Sequence, residues 1–239
     1  MLSTTEWSGL RLVERLTGGH RNEVWSGMIG DTPVAVRRSG RSPASLQWEL
    51  ELLVELARRG FHVAEPIATS GGSLMHDGIV VQRWVDGREP SSDADWTLVA
   101  AELVRLHDDC RDADQRPDCC VVSELVTHRQ SVDADLDQVP SETAALLIDI
   151  FEEFVDVPIS LIHGDPNASN IRIDDHDRVW LLDWDESRVD VVWHDLSNLG
   201  APVLEPADHQ RAQRLSDPPT RSRLPPNPRP GGARTQSNA

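Results

Sequence analysis

A chain of 239 residues with 40 acidic and 23 basic side chains, formal charge −17, is long enough to bury a substantial core in one large domain or two small lobes. So acidic a balance argues against broad electrostatic binding to nucleic acid or anionic membrane, and no apolar run is long enough to span a bilayer. The first residues lack a signal-peptide core, and Cys110, Cys119 and Cys120 show neither CxxC nor bridge spacing, so a reduced cytoplasm is the expected setting.

The chain opens as strands. Residues 10–16 alternate in polarity, 23–29 resume after Thr17-Gly18-Gly19-His20-Arg21-Asn22, and Gly30-Asp31 turns into Val34-Ala35-Val36-Arg37. This predicts an antiparallel meander whose first connection is glycine-rich. A helix follows, with Ser42 as its cap, Pro43 at its first position and Gly60 at its end. Its predicted stripe is Leu46, Leu50, Leu53 and Ala57, with Glu49 on the flank. Two strands are expected at 66–70 and 78–84, and 85–92 reads as a connector.

Beyond Asp93 the pattern is mostly helical. Trp96, Val99, Ala100, Leu103 and Leu106 share one face, with His107 near it. A polar stretch with weaker signals runs to about 138. Ser141 is then expected to cap a helix with stripe Ala144, Leu147, Ile148, Phe151 and Val155, stopped by Pro158. A strand at 159–162 leads into His163-Gly164-Asp165-Pro166-Asn167-Ala168-Ser169-Asn170, and a hairpin over 171–182 ends at Asp183. The last 24 residues, 216–239, hold six Pro, four Arg and one acid, and read as disordered.

The chemistry-bearing pattern is ordered. Asp165 opens the hairpin, Asn170 follows five residues later, and Asp183 closes it. Phosphoryl transfer from a nucleotide needs one carboxylate to orient and deprotonate the acceptor hydroxyl. It also needs an amide oxygen and a second carboxylate to hold the Mg²⁺ that neutralises phosphate charge. Upstream, Gly18 and Gly19 can lie over phosphates, Arg37 can reach them, and Glu49 can fix Arg37 by a charge-assisted pair. The acidic Asp174-Asp175-His176-Asp177 tip reads as a solvated turn, and Cys119-Cys120 as ordinary thiols.

HGDPNASN (163–170), LLDWDE (181–186) and His194-Asp195-Leu196 resemble the aminoglycoside phosphotransferase family of small-molecule kinases, over about residues 10–200. That resemblance implies an α+β, two-lobed protein-kinase-like fold, with an antiparallel-sheet N-lobe bearing one helix and a mainly helical C-lobe. The implied division is 1–84 for the nucleotide-binding N-lobe, 85–92 for the connector, 93–215 for the C-lobe and 216–239 for the tail. It further implies catalysis by Asp165, metal binding by Asn170 and Asp183, and phosphate contact by Arg37 with Glu49 as partner. Gln82 and Trp84 fall in the segment whose backbone receives adenine. Asp195 corresponds to the residue that braces the catalytic loop, His107 to a structural histidine, and Trp184 to a loop anchor.

The implied co-substrate is ATP or GTP with Mg²⁺, and the implied partner a small molecule bearing a hydroxyl, an aminoglycoside among the candidates. Relatives of this family usually run several dozen residues past the position of Asp195, so the charge reversal near Leu215 suggests a truncated or shifted end that would leave apolar faces uncovered. A catalytically impaired nucleotide-binding protein with an incomplete C-lobe is the alternative reading.

Overall fold

The computed structural model describes residues 5–16, 22–131, 134–197 and 199. The N-terminal meander forms as expected: β1 (Leu10–Leu16), β2 (Glu23–Ile29) and β3 (Thr32–Arg38) pair antiparallel in sequence. Helix α1 (Pro43–Arg58) follows, then the short strand β4 (His62–Val63), then β5 (Ile79–Arg83), which completes the sheet in the order β1-β2-β3-β5. Register places Ala35 opposite Gln82 and Arg37 opposite Val80. Inward Val34, Val36, Ile79 and Val81 form the small core of this sheet with Trp7.

Ser42 caps α1 by accepting from the Ser45 N–H at 3.3 Å, Pro43 occupies the first turn, and Gly60 follows the helix at φ +83°. The buried stripe is Leu46, Leu50, Leu53 and Leu56, so Leu56 takes the place predicted for Ala57. Glu49, on the flank of that stripe, is only 1 % exposed, which a carboxylate tolerates only with charged partners. The strand expected at 66–70 does not form. Pro66 cannot donate to a ladder and makes one isolated bridge to Gln82, while β4, just upstream, pairs in parallel with a C-lobe strand.

The connector is tied down by Arg88, whose guanidinium donates twice to Asp95 at 2.7 and 2.8 Å in the first turn of α2 (Asp93–Asp109). Val99, Ala100, Leu103 and Leu106 of α2 pack with the α1 leucines in the largest core, shared with Leu161, Ile171, Ile173 and Leu181. After α2 come α3 (Leu125–His128) and the minimal pair β6 (Gln130–Ser131) and β7 (Ala134–Asp135). In α4 (Ser141–Glu152), Ser141 is the first helical residue and Pro140 the cap. The helix ends before Val155, which is 57 % exposed, and Phe154 turns inward instead.

The site is carried by two antiparallel pairs: β9 (Ile171–Ile173) with β10 (Val179–Leu181), and β8 (Ile159–Ile162) with β11 (Arg188–Val191), which leads into α5 (Trp193–Leu196). Alternate apolar residues bury one face of β9 and β10, whereas β8 and β11 are buried on both faces along three consecutive residues each, and the connecting loops 163–170 and 182–187 lie side by side. The Asp174 tip is no free acidic cluster. Its carboxylate accepts from the His176 and Arg178 N–H groups and from the Trp180 indole at 2.9–3.1 Å, fixing the turn. The glycine-rich turn holding Gly18 and Gly19, the final C-lobe stretch and the 216–239 tail lie outside the described residues. No helix among the described residues is long and apolar enough to cross a membrane.

Candidate active site

Loop 163–170 hangs on one buried carboxylate. The main-chain N–H groups of His163 and Gly164 donate to the two oxygens of Asp195, each at 2.8 Å, and His107 Nε2 donates to the same group at 3.0 Å. Burial pushes the Asp195 carboxyl up, but the hydrogen bond and charge of His107, with the other nearby imidazoles, outweigh it and hold the group at about 2. His163 donates from Nε2 to Leu182 O at 2.8 Å, and its Nδ1 accepts from the Asp165 N–H at 3.3 Å, so both ring nitrogens are occupied in structure.

Asp165 stands exposed beyond this brace. Its carboxylate accepts from Asn167 Nδ2 at 2.9 Å and Asn170 Nδ2 at 3.0 Å. With its amide hydrogens so used, Asn170 keeps Oδ1 free of anything closer than the Ser169 hydroxyl at 3.5 Å. Gly164 is required by contact: at φ +89° a Cβ would fall inside the main chain of Glu186, in the neighbouring loop.

Asp183 ends the hairpin in the left-handed region, φ +54°, a conformation Asp tolerates better than most residues. Trp184 beside it is 2 % exposed, its indole donating to Leu181 O at 3.0 Å and its ring lying 4.9 Å from that of His163. This burial turns Asp183 toward the cleft, where 49 % of its side chain is open. The surrounding protein atoms hold its carboxyl above the usual range, as do Asp185 and Glu49, with Arg37 opposing. A divalent cation would reverse that balance.

Across the cleft, Arg37 is 6 % exposed and pairs with Glu49 Oε1 through Nη2. Its Nη1 lies 3.6 Å from Asp185 and 4.0 Å from Asp183, beyond hydrogen bonding. Among the described residues, Nε and Nη1 of Arg37 find no hydrogen-bond acceptor although they are buried. Orphaned guanidinium donors beside a cleft fit an anionic ligand such as phosphate. Asp185 is held on its other side by Arg41, which approaches its carboxylate to 3.4 Å and donates to its carbonyl at 2.8 Å. Neither spacing nor motif marks Arg41 or Arg116, the latter of which donates to Glu49 Oε2 at 2.9 Å, and Asp185 lies within LLDWDE without an assigned role. Removing one partner from such a buried group costs about 3–5 kcal/mol.

Arg37, Glu49, Gln82, Trp84, Asp165, Asn170 and Asp183 all line one cleft of about 620 Å³. Of the predicted site residues, only Gly18 and Gly19 are not placed, being outside the described residues. The Gln82 amide is turned away to donate to Ala64 O at 3.0 Å, and Trp84 is partly exposed with its indole donating to Asp86 at 3.0 Å, so any adenine recognition here falls to the main chain. A second cavity of about 440 Å³ opens on the other side of Asp165, lined also by Cys119, Cys120, Glu186, Arg188, Asp190 and His194. Burial, then Arg188, push the His194 imidazole down toward its neutral form. Among the described residues no three His, Cys, Asp or Glu side chains gather to hold a metal. The candidate donor set is smaller and harder, the Asn170 amide oxygen and the Asp183 carboxylate, which suits an ion that keeps water and phosphate ligands.

An antiparallel N-terminal sheet, one helix whose buried glutamate meets a strand arginine, and two apposed loops bearing Asp165, Asn170 and Asp183 define a protein-kinase-like phosphotransferase fold. The chain belongs to the phosphotransferase enzyme family, whose model matches residues 12–225. No curated protein sequence matches it. Among solved structures it is similar to a microcompartment-associated aminopropanol kinase, at 15 % identity and TM-score 0.59 over 88 % of this chain and 75 % of that one. It is also similar to a choline kinase from Streptococcus pneumoniae, at 16 % identity and TM-score 0.57 over 86 % and 76 %. A spectinomycin phosphotransferase solved with ADP and its antibiotic aligns at 13 % identity and TM-score 0.51 over 85 % and 73 %.

Proposed function

We propose that the chain moves the γ-phosphoryl group of ATP or GTP to a hydroxyl of a small molecule, with Asp165 as the catalytic residue. The observation that carries this reading is the position of Asp165, which lines both the larger cleft and the second cavity. A nucleotide in the first and an acceptor in the second would meet at its carboxylate. Asp165 orients the acceptor hydroxyl for in-line attack and takes its proton as the new P–O bond forms and the bond to the leaving diphosphate breaks. Asn167 and Asn170 hold that carboxylate in place. Arg37, anchored by Glu49, offers to the phosphates its Nε and Nη1, which make no hydrogen bond among the described residues. Mg²⁺ held by Asn170 Oδ1 and Asp183 would supply charge neutralisation between phosphate oxygens. The main chain of residues 83–85 would receive the base, and Gly18 and Gly19 would cover the phosphates.

The second cavity suggests the acceptor. Arg188 is matched by Asp190 at 2.8 Å and Glu186 by Arg41 at 3.4 Å, leaving Asp165 as the excess charge on its wall. That excess favours an acceptor carrying a cationic nitrogen, and the aminopropanol and choline of the similar proteins each carry one. The setting is the cytoplasm, where nucleotide is abundant and the three free thiols stay reduced. A nucleotide-binding module without turnover is not favoured, because Asp165, Asn170, Asp183 and Arg37 all face the cleft.

The test is a panel of amine-bearing alcohols with γ-labelled nucleotide. Wild type should transfer label, and Asp165→Ala should lose at least about a hundredfold in turnover while nucleotide still raises its melting temperature. Turnover retained by that variant would refute the assignment of Asp165.

A further inference from the structure

The four residues after Asp183 are gripped from beneath by a side chain that lies in the patternless polar stretch following α2. Arg116 is 1 % exposed and reaches two distant segments at once. On α1, its Nε donates to Ser45 Oγ at 2.6 Å and its Nη2 to Glu49 Oε2 at 2.9 Å. In the loop, its Nη1 donates to Asp185 O at 2.7 Å and lies 3.2 Å from the carbonyls of Trp184 and Ser187. The Trp48 ring lies 5.5 Å from its guanidinium carbon. Glu49 is therefore divided, one oxygen to Arg37 in the cleft and the other to Arg116 behind it.

This arrangement needs a planar fork. A lysine at 116 would bring three donors on one atom and could not span Ser45, Glu49 and a run of loop carbonyls together. The loop it holds is the one from which Asp183 projects, and the glutamate it holds is the anchor of Arg37. One guanidinium thus fixes both the second carboxylate and the phosphate-side cation relative to each other.

We propose that Arg116 is a positioning residue for phosphoryl transfer, setting Asp183 and Arg37 in register for the nucleotide phosphates before a nucleotide binds. The proposal rests on the phosphotransferase reading above. A scaffold role alone would lower stability without selecting between the two substrates.

The experiment compares Arg116→Lys and Ser45→Ala with wild type by steady-state kinetics in nucleotide, acceptor and Mg²⁺, and by calorimetric titration of Mg²⁺-nucleotide without acceptor. Arg116→Lys should raise the nucleotide KM and the half-saturating Mg²⁺ about tenfold and weaken nucleotide binding to match, with acceptor KM within about threefold of wild type. Ser45→Ala, which removes one acceptor and keeps the fork, should move the nucleotide KM in the same direction by about two- to threefold. A lower melting temperature with unchanged nucleotide KM and Mg²⁺ dependence would overturn the proposal, as would an equal rise in acceptor KM. Should Arg116→Lys not fold, an unchanged nucleotide KM in Ser45→Ala overturns it. If wild type transfers label to nothing, the phosphotransferase reading fails on its own, and the titration still decides: equal nucleotide affinity in wild type and variants overturns the positioning role.

Discussion

Loops 163–170 and 182–187 meet at the same cleft, yet they are held in opposite ways. The first is ordered by an acid: Asp195, wholly buried, gathers two main-chain N–H groups and one imidazole. The second is ordered by bases: Arg116 gathers its carbonyls from behind, while Arg37 and Arg41 flank Asp185. Carbonyl oxygens accept and N–H groups donate, so the exposed end of the main chain in each loop dictates the sign of the residue that pins it. The consequence is a division of labour between the two aspartates of the second loop, two positions apart in sequence. Asp185 is buried as an anchor and Asp183 is left open to a ligand.

The contact between the loops is the place to break both at once. Gly164 has the positive φ and the close approach to the Glu186 main chain that no side chain fits. Gly164→Ala should therefore cost on the order of 3 kcal/mol in stability. For a domain of this size that is roughly a 6–12 °C fall in melting temperature. Turnover should fall with it, since the strain lies one residue from Asp165. An Ala variant that melts like wild type would show that the loops are not in contact as described.

The division between the aspartates is sharpened by treating them alike. Asp183→Asn should remove turnover by about a hundredfold or more with little change in melting, because its side chain is half open and makes no close pair. Asp185→Asn should do the reverse in emphasis. It withdraws charge from between Arg37 and Arg41 and should lower stability by about 2 kcal/mol, with a milder loss of turnover. Matching melting curves for the two variants would dissolve the distinction.

The same contrast explains what could be read from sequence. Strands 171–173 and 179–181 and helix 43–58 announce themselves through apolar spacing, and Asp165, Asn170 and Asp183 fall at the mouth and foot of that hairpin. The pinning residues have no such period. Arg116 meets Ser45 across 71 positions and Glu49 across 67, and Asp195 meets His107 across 88. Glu49 looks like a flank residue on its own helix because only its distant arginines justify burying it. Asp195 and His107 are legible through family resemblance, whereas Arg116 and Arg41 have neither spacing nor motif to mark them, and Asp185 lies within LLDWDE with no role attached to it. The strand misassigned to 66–70 has the same origin: its alternation is local, while the pairing that wins, β4 with β10, is long-range.

The smallest effect expected, and the one that isolates the acid-held loop, appears at low pH. Asp195 is held near 2 in the fold against an ordinary value of 3.8, so the fold favours its charged form. Its contribution is complete above about pH 4 and is lost as pH falls toward about 2, amounting to about 2 kcal/mol. Asp195→Asn should therefore lower stability at neutral pH and flatten the loss of stability across that acid window, read by chemical denaturation at stepped pH. Glu55 supplies the control. Its carboxyl is also lowered to about 2, by hydrogen bonds from Arg58 and then Arg59, but it lies on the open face of α1. An exposed pair of that kind contributes little, so Glu55→Gln should leave the neutral-pH stability and the acid slope nearly unchanged. If the two variants altered the acid slope equally, the buried carboxylate would not be what holds loop 163–170, and the contrast between the loops would lose its acidic half.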